Sequence, residues 1–179
     1  ISLGLVGSEM CIRDSGNFLH FFMNALGLMY LGRRIEALAR WPQVPLVFLF
    51  SAWMGGEVSL LFGKGMSVGA SGGLMGMLGF LLVFETMHQQ LVPQRSRRRL
   101  SAAVVATAVM GIIGVQFIDN AAHAGGLLAG MLYAYVVFPR SETVMRPRST
   151  WTDRVAALVA FGVLAFGALL AYRAMSASG

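Results

Sequence analysis

The stretch GASGGLMGMLGFLLVF, residues 69–84, brackets one serine with glycines where a short polar loop turns into an apolar run. Because glycine has no Cβ, the chain can turn sharply into a helix here and another backbone can approach the Ser71 hydroxyl closely. The unpaired N–H groups of the first helical turn can stabilise a developing oxyanion. Ser71 is therefore a candidate nucleophile at the mouth of a membrane helix. A structural interpretation is also open, in which Ser71 caps the helix while Gly72 and Gly76 form a small-xxx-small packing face.

The composition of the chain is that of a membrane protein. Hydrophobic residues make up 56% of its 179 residues and charged residues only 12%, which is too little charge to cover the surface of a water-soluble domain. The net charge of +6 comes from short basic clusters between apolar runs, a pattern typical of membrane loops. We therefore expect no nucleic-acid partner, and we predict no cofactor and no metal site. The single cysteine, Cys11, excludes a disulfide within the chain.

Six apolar segments follow one another and predict an all-α, polytopic transmembrane helix bundle with six transmembrane helices. The segments comprise residues 17–38, 46–62, 71–87, 100–117, 120–138 and 153–172. Each is close to the roughly 20 residues that an α-helix needs to cross a bilayer. The preceding residues, ISLGLVGSEMCIRDS at 1–15, resemble a translated sequencing-adapter artefact, so we expect them to be foreign to the natural protein.

Arginine residues cluster in three of the connections between these segments. They follow the first, third and fifth segments, whereas the other connections contain Lys64 alone or no basic residue. By the positive-inside rule the arginine-rich connections face the cytoplasm, so the first, third and fifth helices begin on the opposite side. The eleven arginines that decide this orientation are Arg33, Arg34, Arg40, Arg95, Arg97, Arg98, Arg99, Arg140, Arg146, Arg148 and Arg154.

This orientation brings four polar residues to a similar depth, in the outer leaflet. His20 and Asn24 lie early in the first segment, Ser71 opens the third, and His123 lies one turn into the fifth. Polar groups at that depth are costly unless they face the bundle interior and find partners, so we predict one shared site. His123 can act there as the general base for Ser71. His20 and Asn24, spaced i,i+4 on one helix face, can donate to the oxyanion together with the Ser71 N–H.

Each of these residues also has a structural interpretation. His20 and Asn24 can form interhelical hydrogen bonds that hold the bundle together, and His123 can be a buried histidine bonded to a backbone carbonyl. Asp119, one turn before His123, could be a third catalytic residue, but its position at the start of a helix favours an N-terminal cap. His88 is predicted at the cytoplasmic end of the third helix, too far in depth to join the site.

Three motifs in this chain resemble the signatures of rhomboid intramembrane serine proteases, in the family's order. They are HFFMN at 20–24, GASG at 69–72 and AHAGGLLAG at 122–130, which match HxxxN, GxSG and AHxxGxxxG. The residues YLG at 30–32, followed by Glu36, are similar to the end of the family's second transmembrane helix. The resemblance covers roughly residues 16–138, and the joint occurrence of three motifs is far more specific than any one of them.

The resemblance implies a catalytic dyad of Ser71 and His123 without a catalytic aspartate. It also implies an oxyanion hole formed by His20, Asn24 and the Ser71 backbone, and close packing of the helices at glycines. The predicted packing positions are the glycines near the serine and those that follow the histidine, namely Gly69, Gly72, Gly76, Gly126 and Gly130.

The activity implied by the resemblance is that of an intramembrane serine endopeptidase, which cleaves transmembrane segments of other membrane proteins near the outer face. Its partners would be these substrates and the lipid bilayer, and we expect a multi-pass protein of a bacterial inner membrane. The alternative is a catalytically inactive rhomboid-like protein that binds transmembrane clients. Such pseudoproteases usually lack the serine or the histidine, whereas this chain has both. A transporter or channel would call for ionisable groups near the midplane or an internal repeat, and neither is visible.

Two departures from the family pattern affect these expectations. Met75 stands four residues after the serine, where the family often has an aromatic residue stacked on the histidine; a thioether can also pack on a ring, so we expect function to survive. We also expect the chain to be a fragment that lacks the family's first transmembrane helix and the loop after it. We therefore divide the chain into a core at 16–139 (helices 2–6 of the family), a basic loop at 140–151 and an extra helix at 152–179. We expect the chain as given to be inactive or poorly folded.

Overall fold

The computed structural model describes residues 3–62, 70–113, 119–139 and 147–177, without the side chains of 3–20, 110–113, 171–172 and 174–177. Within these ranges the secondary structure consists of six α-helices and one short 3-10 turn at Gln89–Leu91. The predicted all-α fold is thereby confirmed. The helices are α1 (Leu3–Ala39), α2 (Gln43–Leu61), α3 (Ala70–Met87), α4 (Gln94–Ile113), α5 (Asn120–Val137) and α6 (Trp151–Ala177).

The helix bounds agree with the sequence prediction best for α3 and α5, and least for α1 and α4. The α1 helix begins at Leu3, within the residues that we set aside as foreign, because no proline interrupts the chain before Asn17. The α4 helix begins at Gln94, directly after Pro93, and not at Leu100. Arginine has a high helix propensity, so the basic residues 95–99 continue the helix beyond its apolar part.

Three of the described helices are long and apolar enough to cross a membrane, by length and composition. These spans are Gln43–Leu61, Ala70–Met87 and Trp151–Leu170. In α5 the polar residues Asn120 and His123 and several glycines lower the mean hydropathy, and in α4 the basic first turns do the same. The described residues contain the six helices that we predicted. Three of these six meet the criterion of length and composition for a membrane span.

The α3 helix lies at the centre of the bundle and packs against α1, α2, α4 and α5. The core contains Met77, Phe80, Leu81 and Phe84 of α3, all fully buried. Phe80 and Phe84 stack on each other with ring centroids 5.6 Å apart, and Phe138 meets both rings edge-on. The large apolar side chains of α6 are mostly exposed, as expected for a helix that faces lipid.

Contacts along the helices show that α1, α3 and α5 run parallel and that α2 runs antiparallel to them. Going up the chain, Gly72 and then Gly76 of α3 meet Gly126 and then Gly130 of α5. Along α2 the order is reversed, since its first residue, Gln43, bonds to Tyr133 near the end of α5, with 2.8 Å between the two oxygen atoms. The predicted common direction of these three helices is confirmed.

We call the end of the bundle at which α1, α3 and α5 finish the arginine-rich end, and the opposite end the serine end. The arginines of the predicted cytoplasmic loops that the structure describes lie at or near the arginine-rich end, at the end of α1 and in or just before the first turns of α4 and α6. Arg173, near the end of α6, lies at the opposite end and was not part of the loop count.

A partly buried ion pair and its hydrogen bonds link three helices near the arginine-rich end. Arg34 of α1 forms two hydrogen bonds with Glu85 of α3, Nε to Oε1 at 2.6 Å and Nη2 to Oε2 at 2.8 Å, and the Glu85 side chain is only 1% exposed. The same Nη2 donates to Ser96 Oγ of α4 at 2.7 Å, and Nη1 donates to the Tyr30 hydroxyl at 3.2 Å. Both carboxylate oxygens of Glu85 accept a hydrogen bond, and Arg34 also bonds to Ser96. The pair therefore holds α1, α3 and α4 together without leaving the buried carboxylate unpaired.

Candidate active site

Ser71 is the second residue of α3, and it is half-buried at the serine end. Gly72 and Gly73, which follow it, are buried, so the backbone of the first turn of α3 packs directly against neighbouring helices. A Cβ built on Gly73 would come within 3.0 Å of the carbonyl oxygen of Phe48 in α2. Gly69, a predicted packing residue, and Lys64, in a predicted outer loop, lie outside the described residues.

His123 lies in the first turn of α5, four residues after Asp119, and is half-buried. Asp119 is the N-cap of that helix, since its Oδ1 accepts a hydrogen bond from the Ala122 N–H at 3.0 Å. Its other oxygen, Oδ2, accepts a hydrogen bond from the Ser59 hydroxyl of α2. The predicted capping role of Asp119 is confirmed, and both of its oxygens are engaged in ordering the start of α5.

Glycines bring the starts of α3 and α5 into backbone contact. A Cβ built on Gly126 would overlap the carbonyl oxygen of Gly72, and one built on Gly130 would overlap that of Gly76. A Cβ on Gly72 would lie 3.6 Å from the carbonyl oxygen of Ala122. Ser71 directly precedes Gly72 in the sequence and His123 directly follows Ala122, so both residues are next to this contact between the backbones of the two helices.

The α2 helix completes this close-packed group. A Cβ on Gly55 would lie 2.6 Å from the carbonyl oxygen of Ala122, and one on Gly125 would lie 2.8 Å from the Val58 side chain. Ser51 of α2 is fully buried beneath Gly76. Gly55 was not among the predicted packing positions, although two adjacent glycines in an apolar helix are a visible signal for close packing.

Asn24 of α1 lies at the same level as Ser71. Gly27 packs against Leu74 of α3, with 3.4 Å between a Cβ built on the glycine and Leu74 Cδ1. Asn24 is three residues before Gly27 and Ser71 is three residues before Leu74, and the two helices run parallel. Asn24 is half-buried and interacts with its surroundings. The backbone of His20 lies one turn earlier in α1, and its side chain lies outside the described part of the structure.

Two other residues named in the sequence analysis have clear positions. Met75 is buried and belongs to the hydrophobic core around α3. His88 follows the end of α3, far from Ser71, as predicted; its ring stacks on Phe84 with centroids 4.4 Å apart, and Nδ1 lies 3.0 Å from the Phe84 carbonyl oxygen. His88 therefore has a packing role at the arginine-rich end.

These features define the chain as a helical integral membrane protein, with a serine and a histidine at the adjoining ends of two glycine-packed helices. Residues 15–140 match the family model of the Rhomboid domain. The chain therefore belongs to the rhomboid family, and the resemblance predicted from the three motifs is confirmed.

Individual relatives show the same family relationship. RHOMBOID-like protein 5 of Arabidopsis thaliana is 30% identical over 135 residues, or 74% of this chain and 44% of that protein. Inactive rhomboid protein 2 of Homo sapiens is 29% identical over 156 residues, or 86% of this chain and 18% of that protein. Rhomboid protease GluP of Bacillus subtilis is 28% identical over 115 residues, or 64% of this chain and 22% of that protein.

The chain thus spans less than half the length of each of these relatives. No solved structure matches it significantly. These three relatives come from a plant, a human and a bacterium, and their names include both a protease and an inactive protein. The comparisons therefore support an integral membrane protein of the rhomboid family, and they do not favour a bacterial inner membrane over another membrane.

Proposed function

We propose that this protein is an intramembrane serine endopeptidase in which Ser71 is the nucleophile and His123 the general base and acid. The observation that supports this most strongly is the glycine-mediated contact between the starts of α3 and α5. A contact of this kind lets a serine and a histidine on different helices approach to hydrogen-bonding distance, which acyl transfer requires.

The chemistry proceeds in two steps on a peptide bond of a transmembrane substrate. His123 accepts the proton of the Ser71 hydroxyl while Oγ attacks the peptide carbonyl, which gives a tetrahedral oxyanion. The C–N bond then breaks, the amine leaves with the proton from His123, and the acyl group stays on Ser71. In the second step His123 takes a proton from water, the resulting hydroxide attacks the acyl ester, and Ser71 recovers its proton.

The oxyanion needs hydrogen-bond donors in the same place. The backbone N–H groups in the first turn of α3 have no partner within the helix, so the Ser71 N–H is a natural donor. Asn24 is a second proposed donor, because it lies at the level of Ser71 on the adjacent helix α1. His20 is the third proposed donor, based on the family motif and on its i,i+4 spacing from Asn24.

The proposed substrates are transmembrane segments of other proteins, cleaved near the face of the bilayer at the serine end. The arginine-rich end would face the cytoplasm by the positive-inside rule, so cleavage would take place near the opposite face. The second candidate function is an inactive rhomboid-like protein that binds transmembrane clients. It is favoured by one observation, the match to Inactive rhomboid protein 2 over most of this chain.

A fluorophosphonate probe separates the two functions. An activated serine displaces fluoride from phosphorus and forms a stable phosphonate ester, whereas an ordinary serine does not react. In the full-length protein we expect labelling of the wild type, loss of labelling in Ser71→Ala and His123→Ala, and full labelling in the control Ser101→Ala, an exposed serine on α4. A wild-type protein that is folded but unlabelled would favour the client-binding alternative.

A further inference from the structure

A basic cavity of about 500 Å³ opens at the arginine-rich end, far from the serine and the histidine. It lies where the end of α1, the turn into α2 and the start of α6 meet. The residues that matter for its chemistry are Arg33, Glu36, Arg40, Trp41, Ser149 and Arg154. Three guanidinium groups face one carboxylate, so the cavity has an excess of positive charge and suits an anion.

Arg40 has a left-handed backbone conformation at the end of α1. Its φ is 76°, the left-handed conformation that commonly ends a helix and that glycine adopts at much lower cost. Among the non-glycine residues that the structure describes, Arg40 alone has a positive φ. The side chain reaches the chain segment before α6, where its Nε donates to the Pro147 carbonyl oxygen at 2.9 Å. Strained backbone positions of this kind cluster at functional sites.

An apolar groove of about 410 Å³ lies between α2 and α6, closer to the middle of the bundle than the basic cavity. It is lined by Leu46, Leu49, Phe50 and Trp53 of α2 and by Ala160 of α6. The four α2 residues recur with helical spacing, so they form one face that meets α6. Trp41, between the basic cavity and the α2 helix, has the amphipathic ring that membrane proteins place at the headgroup level.

We propose that the cavity and the groove together bind one anionic phospholipid. The phosphate lies among Arg33, Arg40 and Arg154, the Ser149 hydroxyl donates to it, and an acyl chain lies along the groove between α2 and α6. Arginine suits this role because its planar group can donate two parallel hydrogen bonds to a phosphate. Basic pockets between transmembrane helices at a membrane surface are typical sites for anionic headgroups. Such a lipid would contact α1, α2 and the start of α6 at once and so hold these helices together.

Native mass spectrometry of the full-length protein in detergent tests the proposal through titration with phosphatidylglycerol and with phosphatidylcholine of the same chain length. We expect the wild type to bind phosphatidylglycerol at least tenfold more tightly. The double variant Arg40→Gly/Arg154→Gln should lose this preference, and the matched control Arg98→Gln/Arg99→Gln, at exposed positions of the same end, should keep it. Equal affinity of the wild type for both lipids would overturn the proposal.

Two further measurements distinguish a phospholipid from a simple phosphate ion and from a folding defect. Short-chain dihexanoyl phosphatidylglycerol should bind at least tenfold more weakly than the long-chain lipid, and millimolar inorganic phosphate should not displace the long-chain lipid. Displacement by phosphate would show a site for the ion and not for a lipid. The Arg40→Gly variant relieves the left-handed strain, so its unfolding temperature without added lipid should be equal to or above that of the wild type. If Arg40→Gly has this unfolding temperature and still prefers phosphatidylglycerol as strongly as the wild type does, that result would also contradict the proposal.

Discussion

Asn24 and Ser71 occupy matching positions on two parallel helices, each three residues before the contact between Gly27 and Leu74. If Asn24 donates to the oxyanion, Asn24→Ala should lower the rate constant of cleavage more than tenfold, because one such donor contributes about 2.7 to 4 kcal/mol to transition-state stabilisation. The measurement compares this rate constant and the unfolding temperature in the variant and in Met23→Ala, an exposed neighbour on α1. Loss of stability with unchanged turnover would instead identify Asn24 as a packing residue.

Glu85 is the residue whose loss should affect stability most through charge. Replacing it by leucine leaves the half-buried guanidinium of Arg34 without its carboxylate, and we expect a loss of about 1 to 3 kcal/mol of stability. The double variant Arg34→Met/Glu85→Leu should recover much of that loss, because it removes both charges. Unfolding free energies of Arg34→Met, of Glu85→Leu and of the double variant test the coupling. Additive effects in this cycle would show that the ion pair contributes nothing beyond its separate residues.

The residue roles differ in how far the sequence could reveal them. Asp119 could be assigned as a cap from its position before an apolar helix, because capping is a local property. The partnership of Arg34 with Glu85 could not be predicted, because it depends on which helices are neighbours and on their relative direction. A charged residue at the end of the apolar run of α3 was nevertheless a visible signal that a partner was needed.

At the scale of the helices, the contact between α3 and α5 is the feature on which the proposed active site depends. The Gly130→Ala variant would place a methyl group against the carbonyl oxygen of Gly76 and force the two helices apart. Overpacking of this kind costs about 1 to 3 kcal/mol, so we expect a lower unfolding temperature and a reduced rate of cleavage. The control Gly162→Ala, on α6, has open space around its Cβ and should be neutral or slightly stabilising. Equal behaviour of the two variants would contradict the packing account.

Helix positions could be predicted where an apolar run and a turn signal coincide, as at the starts of α3 and α5. The prediction failed at the starts of α1 and α4, because hydrophobicity marks the part of a helix that lies in the membrane and not the polar turns that continue it. Hydrophobicity alone also misses a central helix. The α5 helix is not among the three candidate membrane spans, because its polar first turn and its packing glycines lower its mean hydropathy.

At the scale of the whole molecule, the parallel direction of α1, α3 and α5 places their ends on one side, as the arginine clusters predicted. Which side faces the cytoplasm remains a prediction from charge. In a Cys11→Ser background, Lys64→Cys should react with a membrane-impermeant maleimide from outside intact cells, whereas Gln90→Cys, exposed just after α3, should react only after the cells are opened. The reverse pattern would contradict the orientation and would place cleavage near the cytoplasmic face.

The central claim is that Ser71 and His123 act together on a peptide bond within a membrane. The most direct test is cleavage of a transmembrane reporter by the full-length protein reconstituted in liposomes, with wild type, Ser71→Ala and His123→Ala at equal, verified amounts of folded protein. We expect cleavage by the wild type and its loss in both variants, since each residue supplies a step that the other cannot replace. Cleavage by either variant at a rate close to that of the wild type would contradict the dyad.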